Sequence, residues 1–214
     1  MASPLKYGYS GSVPAKESPE DVIVLLHGYG SNELDLLSFA DQLPSNYFVV
    51  SVKAPIALDW GGFAWFDIDW TSEKKSYNFD QAMKSRKQVV DFISYLENNY
   101  HINKGNISLL GFSQGAMLAQ AVALTEPQLL SKVVALSGFV FEEAIKPIQA
   151  SREDIKQVDF FIGHGSVDDV VPVDNDRRSR LFLENLGVNV IYKEYPIAHG
   201  IAPEELNDVI SFLK

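Results

Sequence analysis

Six short apolar runs punctuate the chain, at Val22–Leu26, Tyr47–Val52, Ile107–Leu110, Lys132–Leu136, Val158–Ile162 and Val188–Lys193. Strands that stay apolar at nearly every position are buried on both faces, the condition of a parallel sheet sandwiched by helices. Helix-like segments lie between them. Glu33–Leu43 and Tyr77–Tyr100 carry apolar stripes, and Gln114–Leu124 is apolar almost all round, which predicts a buried helix. Asp174–Leu186 opens with an Asp suited to a cap and stops before Gly187, while Pro203–Leu213 begins Pro-Glu-Glu, a good first helical turn. Strand and helix in alternation build βαβ units. The expected fold class is therefore α/β, with a mostly parallel central sheet, helices on both faces and three layers. No repeat, linker or low-complexity tract interrupts the 214 residues, which read as one domain over residues 1–214.

Charge and cysteine content exclude several classes of function. Lys plus Arg number 18 against 28 Asp plus Glu, a net charge of −10 that phosphate backbones and anionic lipid surfaces repel, so no nucleic-acid partner is expected. There are no cysteines, which removes disulfides, thiol nucleophiles and thiolate metal sites, and fits a reducing compartment. The first residues lack an apolar stretch behind a basic start, so no signal peptide is read, no run of 18 apolar residues predicts a membrane span, and the expected location is cytoplasmic. No metal or cofactor motif is present: there is no H-E-x-x-H and no glycine-rich phosphate loop with a lysine.

Chemistry concentrates at Gly111-Phe112-Ser113-Gln114-Gly115, a G-x-S-x-G. The apolar run Ile107–Leu110 enters it and a buried helix leaves it, the strand, sharp turn and helix of a nucleophile elbow. A serine hydroxyl needs a base. Of the four histidines, His27 and His101 precede the serine, and His164 leaves almost no room for an acid before it. His199, after the last strand and before the last helix, is left as the base, in the chain order Ser, acid, His. The acid is expected in the loop after the preceding strand, where Asp168 and Asp169 are adjacent and spacing does not choose between them. Two backbone N–H groups should stabilise an oxyanion: that of Gln114, at the start of its helix, and that of Tyr29, in the loop His27-Gly28-Tyr29-Gly30 after the first apolar run. The stretch Lys53–Ser76 holds all three tryptophans, and a loop of that length is more often functional than idle. Trp60, Phe63, Trp65 and Trp70 are accordingly candidate substrate-binding residues.

These motifs resemble the phospholipase/carboxylesterase family of α/β-hydrolases over nearly the whole chain. His27–Gly30 is similar to the family's HG-x-G loop, Trp65-Phe66-Asp67 to its Trp-aromatic-Asp segment, Gly111–Ala116 to its GFSQGA elbow and His164–Pro172 to its HG-x-x-D-x-x-V-P loop. The resemblance implies an α/β-hydrolase fold, a Ser113–His199–Asp168 triad that assigns the acid to Asp168, and a cofactor-free serine esterase working through an acyl-enzyme. Short- to medium-chain esters are the expected small-molecule substrates. Long acyl thioesters or lysophospholipids are the rival, and a hydrolase fold that binds without turnover is the alternative from another class. Tyr29 stands where the family often has Leu, which leaves the backbone donor intact but brings a ring to the site. A homodimer is left open.

Overall fold

The computed structural model describes residues 2–15, 20–71, 75–145 and 150–214. Residues 72–74 of the aromatic stretch lie outside the described residues. Among the described residues eleven strands appear in chain order: β1 (Tyr7–Ser10), β2 (Glu20–Leu26), β3 (Tyr47–Val52), β4 (Ile56–Ala57), β5 (Phe63–Ala64), β6 (Ile68–Asp69), β7 (Ser76–Tyr77), β8 (Ile102–Phe112), β9 (Lys132–Leu136), β10 (Asp159–Gly165) and β11 (Val190–Tyr195). The helices are α1 (Glu33–Leu37), α2 (Phe79–Asn99), α3 (Gln114–Thr125), α4 (Arg152–Ile155), α5 (Asp174–Leu186) and α6 (Pro203–Leu213). Strands and helices alternate along the chain, as an α/β fold requires.

Seven strands form the main sheet in the order β1-β3-β2-β8-β9-β10-β11, parallel throughout except for β1, which runs antiparallel along β3. Successive strand residues point to opposite faces, and the core divides accordingly. Val22, Val24 and Leu26 of β2 join a cluster with α2, α3 and α5, while Ile23 and Leu25 join α1 and α6 on the other side. Helix, sheet and helix are thus three layers held by two apolar seams. Helix α3 is the most deeply placed, with Gln114 through Leu124 all buried.

The structure departs from the sequence expectations in places where polar or local chemistry intervenes. The segment Glu33–Leu43 is helical only to Leu37. Ser38 Oγ donates to the Asp35 carbonyl at 2.6 Å, and a 3-10 turn at Ala40–Gln42 follows. At α5 the N-cap is Val173, not an Asp. Asp174 lies in the first turn, where its charge complements the helix dipole. Gly187 does end that helix in the left-handed conformation, at φ 84°. Strand β1 was not anticipated, because Tyr-Gly-Tyr-Ser has no apolar run. The aromatic stretch is not an irregular loop either: it folds into two short ribbons, β4 with β5 and β6 with β7.

Candidate active site

All the candidate polar residues converge at the carboxyl ends of the parallel strands. Strand β8 delivers Ser113 into a turn so tight that its backbone sits at φ 53°, ψ −115°. A non-glycine residue there is strained, and the surrounding contacts hold it. Its flanking glycines are required by space. A Cβ on Gly115 would land on the Leu26 carbonyl, and one on Gly111 would land on the Gly115 backbone. Ser113 N–H is anchored by the Leu136 carbonyl of β9 at 2.8 Å.

The loop after β11 places His199 with Nε2 3.0 Å from Ser113 Oγ. Its Nδ1 lies 2.6 Å from Asp168 Oδ2. Asp168 is buried at the end of β10 and turned inward by its own loop: Oδ1 accepts from the N–H groups of Val170 and Val171, each at 2.8 Å. Asp169 is exposed. Geometry therefore joins Ser113, His199 and Asp168 into one hydrogen-bonded line and leaves Asp169 outside it. An imidazole so placed can take a proton from the hydroxyl while a carboxylate holds its other nitrogen.

The Tyr29 N–H and the Gln114 N–H have no protein acceptor among the described residues. Gln114 also works through its buried side chain. Its Oε1 accepts from Trp65 N–H at 2.8 Å and its Nε2 donates to the Phe66 carbonyl at 2.6 Å, tying the elbow to the aromatic segment.

The four aromatic candidates separate. Trp70 borders the cavity above Ser113, a space of about 210 Å³ that Tyr29, Tyr77, Met117, Phe139 and Val171 also line. Lys75 Nζ stacks 4.5 Å from the Trp70 ring and donates to the Val170 carbonyl at 2.5 Å, bridging the two sides. Trp65 does not reach this cavity. It is fully buried, and its indole N–H donates to the His27 carbonyl at 2.9 Å. Phe63 does not reach it either. Its backbone pairs with Gly30 and Ser31, at 2.9 and 2.8 Å, and its ring lies under Lys53. Both residues brace the loop that carries Tyr29. Trp60 is 68% exposed and packs against Gly30 and the Tyr29 ring outside the cavity. Sequence reasoning missed Ile68, Lys75, Tyr77, Met117, Phe139, Val170 and Val171 as lining residues. The one available signal was position, since Phe139 follows the carboxyl end of β9.

His27 is structural. Its Nε2 accepts from Ala54 N–H at 3.0 Å, its Nδ1 faces the Gly28 carbonyl at 2.8 Å, and burial lowers its proton affinity. Among the described residues, no group of three or more His, Asp or Glu is arranged to hold a metal ion. No helix among them is long and apolar enough to cross a membrane.

Comparison with known proteins gives concordant matches. Residues 10–214 match the family profile described as Phospholipase/Carboxylesterase. The Candida albicans protein named Acyl-protein thioesterase 1 is 31% identical over 221 residues, covering 94% of this chain and 95% of its own. Among solved structures, esterase PE8 superposes with a TM-score of 0.78 at 27% identity, covering 96% of this chain and 97% of its own. Zea mays acyl-protein thioesterase 2 gives 0.76 at 26% identity, covering 97% of both chains.

Proposed function

Because the chain belongs to the phospholipase/carboxylesterase family and is a serine hydrolase of that family, we propose that Ser113, His199 and Asp168 are its catalytic triad and that it cleaves small carboxylic esters. The observation that carries this reading is the unbroken line from Ser113 Oγ through His199 to Asp168, at 3.0 and 2.6 Å.

The steps follow from what each atom faces. Ser113 Oγ attacks the ester carbonyl while His199 Nε2 takes its proton, and Asp168 steadies the imidazolium through Nδ1. Negative charge develops on the carbonyl oxygen, and the Tyr29 and Gln114 N–H groups are the fixed donors for it. His199 then gives its proton to the departing alkoxide, leaving an acyl-Ser113. Water, deprotonated by the same imidazole, releases the acid. The N-terminus of α3, where Gln114 stands, adds a favourable dipole at the oxyanion.

Short to medium acyl chains suit the cavity. Its volume of about 210 Å³ lies below the range of roughly 300–1,000 Å³ common for ligand pockets. Thioester cleavage is the second reading. It is favoured by the Candida albicans relative and by a neighbouring aromatic-lined cavity of about 480 Å³ that shares Lys75, Tyr77 and Phe139 with the first. The cysteine-free sequence fits a reducing compartment, and the cytoplasm is the proposed setting.

Two measurements test this. A fluorophosphonate should inactivate the enzyme and label Ser113 alone, and labelling of another serine would refute the assignment. Aryl esters of two to sixteen acyl carbons should give the highest kcat/KM at the short end; a maximum at the long end would favour the second reading.

A further inference from the structure

Behind Asp168 lies a second imidazole that the steps above do not use. His164 is fully buried in β10, and its Nε2 stands 3.3 Å from Asp168 Oδ2, the oxygen that also meets His199. The same Nε2 is 2.8 Å from the Val171 carbonyl. A carbonyl and an ionised carboxylate can only accept, so Nε2 must carry a hydrogen. The other ring nitrogen, Nδ1, lies 2.6 Å from Asp176 Oδ2 on α5, and Asp176 is buried too. One further proton is held in that bond, whichever side it sits on.

We propose that His164 is a positioning residue for the proposed triad: held by Asp176, it donates from Nε2 to the Val171 carbonyl, which fixes the loop whose Val170 and Val171 N–H groups cap Asp168, and it keeps that N–H 3.3 Å from the Asp168 oxygen that meets His199. This rests on Asp168 being the triad acid. Four carboxyl groups face the ring. They are Asp168 from its own loop, Asp176 from α5, Glu194 from the β11 position paired with His164, and Glu205 from α6. Burial works to lower the imidazole's proton affinity, but the Asp176 bond and the surrounding negative charge outweigh it and raise it above the ordinary value. Burial also lifts Asp176, to about 6, despite the opposing pull of His164. Both directions keep the proton in the pair.

Two consequences follow. Asp168 Oδ1 is fixed by two backbone donors, and the His164–Val171 bond holds the residue that supplies one of them, so the carboxylate is set before His199 bonds to it. The same N–H also lies 3.3 Å from the oxygen His199 uses, and its positive end moderates the attraction between Asp168 and the imidazolium. Without it, His199 should hold its proton more firmly, and activity should be lost at higher pH.

The test is kcat and KM for p-nitrophenyl acetate across pH, for the intact enzyme, His164→Leu and His164→Gln, whose amide can place an N–H near the Nε2 position. His164→Leu should lose kcat by about ten- to a hundredfold, the cost of leaving the Val171 carbonyl without its donor and the acid loop unheld, with KM little changed. Its acid limb of kcat/KM should move up by about half a pH unit. His164→Gln should recover most of both. A folded His164→Leu with unaltered kcat and acid limb would overturn the proposal, as would a Gln variant no better than Leu. Nitrogen-15 histidine spectra of the unmutated enzyme decide the case if the Leu variant does not fold: His164 Nε2 should be protonated at every pH from about 5 to 9, and an unprotonated Nε2 at neutral pH would refute it. Asp168→Asn in the same assay separates this from the functional reading, since full activity there would remove Asp168 from the triad itself.

Discussion

Two imidazole–carboxylate pairs stand side by side at the carboxyl edge of the sheet, His199 with Asp168 and His164 with Asp176, each joined at 2.6 Å. Bond length does not distinguish them. What differs is the other nitrogen of each ring. His199 Nε2 faces a hydroxyl that has a proton to give, beside an open cavity. His164 Nε2 faces a carbonyl and a carboxylate inside the protein. The first arrangement can move a proton to and from a reactant. The second can only hold one. A short His–Asp bond is therefore insufficient to identify a base, and the partner of the remaining nitrogen is the deciding feature.

The largest effect should come from breaking the open pair. Asp168→Asn keeps the shape but presents an amide to Nδ1 and favours the wrong tautomer, so kcat should fall by about 10⁴ with the fold intact by circular dichroism. If Asp168→Asn stays within tenfold of the parent, the two pairs are functionally alike and the distinction between them fails.

The aromatic segment supplies the next contrast, between a tryptophan inside and one at the rim. Trp65 is fully buried and bonded to the His27 carbonyl, so Trp65→Ala should cost about 3–5 kcal/mol of stability in denaturant melts. Trp70 is half-exposed at the cavity mouth, and Trp70→Ala should instead shift relative kcat/KM among acyl lengths by about 1–3 kcal/mol. An unchanged chain-length profile in Trp70→Ala would make that side chain a mere cover.

These assignments also mark how far the sequence was legible. The parallel frame could be read because burial on both faces writes near-continuous apolar runs, and β3 and β9 fall on the residues expected, Tyr47–Val52 and Lys132–Leu136. The elbow could be read because Gly111 and Gly115 are demanded by backbone contacts that no other residue permits. The aromatic stretch could not be resolved in the same way. Trp65 and Trp70 are the same residue type five positions apart, and only the long-range bonds that Trp65 donates to Gln114 and His27 decide which one turns inward. His164 was set aside as a base by its position in the chain, and its bond to Asp176 spans twelve residues between two elements. No local pattern encodes such a pairing.

Of the four carboxyl groups around the sealed pair, one lies on the last helix. Glu205, on α6, is fully buried, and among the described residues its Oε1 has no partner while Oε2 accepts from Ala202 N–H at 3.2 Å. Burial raises its pKa to about 7. A carboxyl raised on folding stabilises the protein in its protonated form, fully below the ordinary value of about 4.3, and that contribution is lost as pH climbs toward 7. Thermal melts should show stability declining between about pH 5 and 7.5. Glu205→Gln, which stays neutral, should flatten this decline and gain on the order of 3 kcal/mol at pH 8. Asp176, also raised, should leave a smaller residual slope. A slope unaltered by Glu205→Gln would mean that the carboxyl is ionised and solvated in the folded enzyme.

The smallest effect tests the contrast at its finest scale, between adjacent residues of the same type. Asp168 turns inward because its Oδ1 caps the N–H groups of Val170 and Val171, and the next side chain is thereby sent outward into solvent. Asp169 still carries a charge within a few residues of the imidazole. Water and salt weaken a charge of that kind to well under 1 kcal/mol at the distances involved. Asp169→Asn should therefore change kcat by no more than about threefold, and the change should shrink further when ionic strength is raised, because screening removes what remains. Asp168→Asn should show no such rescue by salt, since its loss is one of tautomer and contact. If Asp169→Asn lost activity as steeply as Asp168→Asn at high salt, field effects could not account for it, and the acid loop would have to rearrange so that either carboxylate can reach His199.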